Sequence, residues 1–213
     1  MALVQTPFVP KEHGFHFPNS FESAILSRIK LPVVKPTLGE LIYGLCGGMC
    51  FAALDYFYAK KPVPPTTKVD EINYKLFRYL WERQLDTIPA PILVKLVKWM
   101  VYADSTVMRR VIAEETPLLK ASIDKGNPVV LALVRESGLG NPTLNHQVVA
   151  VAYDFDPASQ QMILHLYDPN WPGQMPRLTF NLSKPTEGIA TSQPTDTSPR
   201  GFFVIPYERQ TPP

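Results

Sequence analysis

The sequence predicts an α+β fold, with helices in its first part and antiparallel strands in its second. Three observations carry this. Stretches at about 46–60, 69–84, 91–102 and 117–124 fit helices: apolar residues recur at helical spacing, and capping and proline signals mark the ends. From residue 128 the pattern changes to short β-rich apolar runs, at 128–134, 146–153, 161–167, 178–182 and 201–207, separated by turn residues. The chain has 213 residues and no internal repeat, which suits one domain spanning 1–213, with a helical lobe over about 20–125 and a β lobe over about 126–208.

Each element has a local reason. Residues 1–39 hold five prolines and read as loop, with a short helix at 20–28 that Ser20 caps. His13-Gly14-Phe15-His16-Phe17 is aromatic enough to pack down as an N-terminal strap. In the stretch 46–60, Met49, Cys50, Ala53, Leu54 and Phe57 form one apolar face, and Asp55, Tyr56 and Tyr58 are assigned to the outer face. Lys60, Lys61 and Pro62 end that helix. Asp70 and Glu71 suit the first turn of the next helix, and Pro91 the first turn of the third. The fourth ends at Lys125-Gly126. Asp156-Pro157-Ala158-Ser159 reads as the turn between two strands, and 183–200, rich in Thr, Ser and Pro, as a mobile loop.

Composition narrows the function. The net charge is +2 with no run of Lys or Arg, so no nucleic-acid partner is expected. No apolar run reaches the roughly 18 residues of a membrane span, and no leader pattern opens the chain, so a cytoplasmic location is expected. Two cysteines four positions apart do not make a disulfide framework and are read as free thiols.

Those thiols open the chemistry. Gly44-Leu45-Cys46-Gly47-Gly48-Met49-Cys50-Phe51 delivers a cysteine to the start of an apolar helix. There the unpaired N–H groups and the helix dipole favour thiolate, the nucleophilic form. Acyl transfer by a thiol also needs a base, a group that orients the base, and donors for the oxyanion. His146 opens an apolar strand and is the candidate base; Asp168 ends the returning strand. If residues 153 and 161 flank the turn, 146 and 168 fall opposite each other, within side-chain reach. Asn170 is an alternative orienter, and His165 is read as packed. His13 and His16 lack a carboxylate cluster, and a zinc site on Cys46, Cys50 and His146 lacks a fourth ligand.

In order and context these residues resemble the papain-like cysteine peptidase superfamily, and more specifically its bacteriocin-leader-peptidase-like branch. The matching pieces are Cys46-Gly47 opening a helix, Gly126-Asn127-Pro128-Val129 leading a strand, the apolar strand begun by His146, and the Asp168-Pro169 turn. They cover about residues 40–60 and 120–170. The resemblance implies a papain-like fold, a helical lobe packed on an antiparallel sheet. It also implies cleavage of a peptide or isopeptide amide through a Cys46-His146-Asp168 triad and a thioester. The substrate would be a peptide or protein, contacted by Glu40, Tyr43, Gly47 and Trp171, with no metal or organic cofactor. The leader-peptidase pattern favours Cys46 as nucleophile, whereas the papain signature, with an aromatic after the nucleophile, favours Cys50-Phe51. The family pattern places a glutamine six residues before the nucleophile, and here Glu40 or Gly44 stands there. The Cys46 N–H with a donor such as Asn19 or Tyr43 would have to substitute. That departure and the aromatic N-terminal strap motivate a second reading, a catalytically idle papain-like binding module; a third, a transglutaminase-like acyltransferase, keeps the thiol chemistry and passes the acyl group to an amine.

Overall fold

A computed structural model of the protein describes residues 2–21, 44–195 and 197–213. The expected helix at 20–28 lies almost wholly outside these residues, as do Glu40 and Tyr43. The described chain is α+β. Helix α1 (Pro10–His13) precedes the main helices α2 (Cys46–Tyr58), α3 (Tyr74–Asp86), α4 (Ala90–Val101), α5 (Asp104–Arg110) and α6 (Thr116–Ile123). The strands are β1 (Ala2–Gln5), β2 (Val129–Val134), β3 (His146–Asp156), β4 (Gln161–Tyr167), β5 (Arg177–Asn181), β6 (Ala190–Thr191) and β7 (Gly201–Ile205). They form one antiparallel sheet in the order β6-β5-β4-β3-β2-β7.

β1 was not expected, and β3 explains it. β3 has 11 residues and β2 only 6, so the second half of β3 outruns its neighbour on that edge. β1 takes the vacant edge, from Ala2 opposite Phe155 to Gln5 opposite Ala152. The backbone groups of β3 thereby find partners.

Helix α2 is buried from Gly47 to Tyr56. Asp55 is its one charged residue, and a helix apolar nearly all round belongs inside a protein. The assignment of Asp55 and Tyr56 to an outer face is therefore corrected. Asp55 is buried and accepts hydrogen bonds from Tyr79 Oη (2.8 Å), Arg83 Nε (2.7 Å), Tyr207 Oη (2.7 Å) and the Gln210 N–H (2.8 Å). α3 lies so close to α2 that a Cβ on Gly48 would stand 2.0 Å from the Leu80 carbonyl oxygen. The aromatic strap packs down as read: Phe15 and Phe17 are buried, Phe15 lies edge-on to Tyr56, and its N–H bonds Tyr167 Oη.

Two helical boundaries differ from the reading. The stretch 69–84 is two elements, a 3-10 turn at Val69–Glu71 and then α3, because Asn73 caps α3 through Oδ1 to the Leu76 N–H at 2.9 Å. α5 was not anticipated. It runs through a π-helical turn at Val111–Glu115 into α6, where Thr116 Oγ1 bonds the Val111 carbonyl and Pro117 has no N–H to continue the regular ladder.

Candidate active site

Cys46 is the first residue of α2, and His146 the first of β3. α2 packs against β3, so the helix N-terminus meets the strand's start. Gln147 marks the junction: its carbonyl accepts from Cys50 Sγ at 3.5 Å, and its side chain lies against Gly47. A Cβ on Gly47 would be 2.4 Å from Gln147 Oε1 and 2.5 Å from Thr87 Oγ1, so any larger residue would push both side chains aside.

The structure brings Cys46, His146 and Asp168 together. His146 Nε2 lies 2.7 Å from Asp168 Oδ1, which leaves the other ring nitrogen for the Cys46 thiol, and the ring stands close enough to that thiol to lower its pKa. The sequence register that paired 146 with 168 is corrected in detail. The turn is tighter, with Asp156 opposite Gln161, and a bulge lies between Ala150 and Ala152. The ladder reaches Val149 opposite Tyr167, so Asp168 continues opposite 148 and meets His146 on the diagonal of the same face.

Asp168 is fully buried and held from three sides. Its Oδ1 accepts from the Asn170 N–H at 2.9 Å as well as facing His146, and its Oδ2 accepts from Gln193 Nε2. Gln193 is itself oriented, because its Oε1 accepts from Arg135 Nη2 at 3.0 Å. Sequence reasoning missed Gln193, which sits in the stretch read as a mobile loop. That stretch contains β6, and Gln193 follows it, buried. The Gln193 N–H also bonds Thr191 Oγ1.

The electrostatics follow from this packing. Burial disfavours the imidazolium, but the Asp168 charge and hydrogen bond, with the Cys46 thiol, outweigh it and push His146 up to about 9. Burial would raise the Cys46 thiol, yet His146 and the backbone N–H groups of Gln147 and Gly47 bring it below the ordinary thiol value. Burial likewise opposes ionisation of Asp168, and His146, Asn170 and Gln193 overcome it. Cys50 differs: burial, with Cys46 and Asp168 nearby, pushes it well above an ordinary thiol. It is fully enclosed, with its Sγ turned to a carbonyl.

Asn19 also reaches the site. Its Oδ1 accepts from the Leu45 N–H at 2.8 Å, and its Nδ2 donates to Asn170 Oδ1 at 3.1 Å. It thereby ties the residue before Cys46 to the turn after Asp168. Asn170, read as an alternative orienter, does not stand in that place: its N–H supports Asp168 instead. Trp171 is half-buried in the same turn, its N–H bonded to the Asp168 carbonyl, and stands apart from the cavity beside Cys46. His165 pairs with Asp154 across two strands at 2.8 Å, and His13 Nδ1 accepts from the Val9 N–H. Among the described residues no group of three His, Cys, Asp or Glu side chains is placed to hold a metal, and no helix is long and apolar enough to cross a membrane.

A cavity of about 340 Å³ opens beside Cys46 and His146, walled by α3, α4, β2 and the segment before β3. No protein family, no curated protein and no solved structure matches the chain.

Proposed function

We propose that the protein is a papain-like thiol hydrolase that cleaves an amide through a thioester on Cys46, the peptide or isopeptide bond that the sequence suggests being one amide of that kind. One observation carries the reading: a thiol at the N-terminus of a buried helix stands beside a histidine that lowers its pKa, and the far nitrogen of that histidine is held by a buried aspartate. Side chains so linked make a thiolate–imidazolium pair.

In the first half-reaction Cys46 Sγ attacks the carbonyl carbon. The carbonyl oxygen takes up the negative charge, and collapse breaks the C–N bond as His146 gives its proton to the leaving amine. In the second, water attacks the thioester and gives a proton to His146, and the thiolate leaves. The sum is amide plus water to acid plus amine. The oxyanion donors in this reading are the Cys46 N–H and Asn19 Nδ2, whose amide has a second hydrogen beyond the one given to Asn170.

The test is the pH dependence of iodoacetamide alkylation, followed by mass at each cysteine. Cys46 is expected to react rapidly below the pH at which a free thiol does, and Cys50 only after unfolding. His146→Ala is expected to return Cys46 to the profile of a free thiol. An idle binding module requires an ordinary thiol at Cys46 in the native protein, and that result would overturn the proposal.

A further inference from the structure

The cavity beside the thiol carries a statement about what the acyl group is. This rests on Cys46 being the nucleophile. Leu85, Ile88, Leu93, Leu96, Ala132 and Pro142 form its apolar wall, and among the described residues no Asp, Glu, Lys or Arg lines it. At about 30 Å³ per water-sized group, a volume of about 340 Å³ has room for roughly ten methylenes, more than one aliphatic side chain fills.

The polar side chains in the wall are already engaged within the protein. Gln84 Oε1 accepts from the Gly48 N–H at 2.8 Å. Asn145 Oδ1 accepts from the N–H groups of Arg135 and Glu136, and its Nδ2 donates to the Pro142 carbonyl. Gln147 Nε2 donates to Thr87, and its Oε1, though without a partner, is closed off from solvent. β2, which contributes Ala132, is paired on both edges, so it has no free strand edge to clasp an extended peptide. The apolar surface continues beyond the mouth: Leu85 and Leu93 are part of the wall yet 42% and 44% exposed, and Val94 and Val97 carry the surface along α4.

We propose that the cavity binds an aliphatic acyl chain, and that the substrates are amides of such chains, about eight to ten carbons long, with the carbonyl at Cys46 and the tail between α3 and α4. A chain of this kind needs apolar contact along its length and no hydrogen bonds, which is what this wall supplies. A peptide would need partners for its backbone groups in the same space.

The experiment uses the full chain and a series of N-alkyl iodoacetamides from methyl to decyl, beside a dileucyl iodoacetamide of similar carbon count. Alkylation of Cys46 is read by mass below the pH at which a free thiol reacts, and each rate is divided by that of iodoacetamide on the same protein. The ratio is expected to climb about fourfold per added methylene, levelling near ten carbons. Leu93→Asp is expected to flatten the climb. The length series on the unaltered protein keeps the test decisive if that variant does not fold. A flat series on a fast-reacting Cys46 would overturn the acyl-chain assignment and leave the thiol reading standing. A dileucyl probe faster than every alkyl probe would overturn it in favour of a peptide. A Cys46 inert to iodoacetamide itself would remove both.

Discussion

Gln193 shows how much of the site depends on one amide. Asp168 is buried, and a buried carboxylate stays ionised only if its oxygens are matched by donors. His146 and the Asn170 N–H serve one oxygen, and Gln193 serves the other. Gln193→Ala is expected to lower amide hydrolysis about 10- to 100-fold, the worth of one hydrogen bond to a charged group. Gln193 is a positioning residue, so its pH profile is the decisive readout. In the native protein hydrolysis should rise as Cys46 ionises and fall above about 9, where His146 loses the proton that the leaving amine needs. Alkylation needs only thiolate and should not fall there. With Asp168 less well held, the falling limb of Gln193→Ala should move below 9, toward the ordinary histidine value. An unmoved limb would mean that Gln193 only packs. The sequence made Cys46, His146 and Asp168 legible because each stands at the end of an apolar element. Gln193 carried no such signal: it lies among Thr, Ser and Pro, and only the two-residue β6 brings it inward.

At the scale of elements, α2 is the part the site is built on, and its glycines set how near its neighbours come. Gly48 faces the α3 backbone, which cannot move aside as a side chain can. Gly48→Ala removes a helix-breaking residue and should gain up to about 1 kcal/mol in an isolated helix. The collision with the Leu80 carbonyl decides the sign, and the variant is expected to lose about 1–3 kcal/mol, the usual cost of overpacking. Urea unfolding measures this, and a stabilised variant would refute the close approach. The Gly48 N–H bonds Gln84, so spreading α2 from α3 would also displace a residue in the wall of the cavity. The strands from residue 128 onward, β6 excepted, were legible within about three residues at their ends because their apolar runs are short and bounded by turns. β1 and α5 were not, because their partners lie far along the chain, β3 for β1, and the turn at Pro185–Glu187 with β7 for α5.

Across the whole molecule, the segment after β7 returns to the helices and ends on Asp55. Five hydrogen bonds converge on that carboxylate, from Tyr79, from Arg83 through Nε and Nη2, from Tyr207 and from the Gln210 N–H. Arg83 also donates to the Glu208 carbonyl and lies over the Phe51 ring. Asp55 and Arg83 are each about 1% exposed, so neither has water to fall back on. Asp55→Ala leaves a buried guanidinium with only the exposed carboxylate of Asp86, 2.7 Å from its Nη1, as counter-ion, and is expected to cost about 3 kcal/mol. For a domain of this size that lowers Tm by about 6–12 °C. Replacing both partners with apolar residues often restores stability, because the desolvation cost of both ions disappears together. Here it should not. Asp55→Leu with Arg83→Met still strands the Tyr79 and Tyr207 hydroxyls and the Gln210 N–H, and the double variant is expected to remain about 1–3 kcal/mol less stable than the native protein. Thermal and urea unfolding of the native protein and both variants decide this. A double variant as stable as the native protein would mean that the surrounding hydroxyls find other partners, and that Asp55 serves only Arg83.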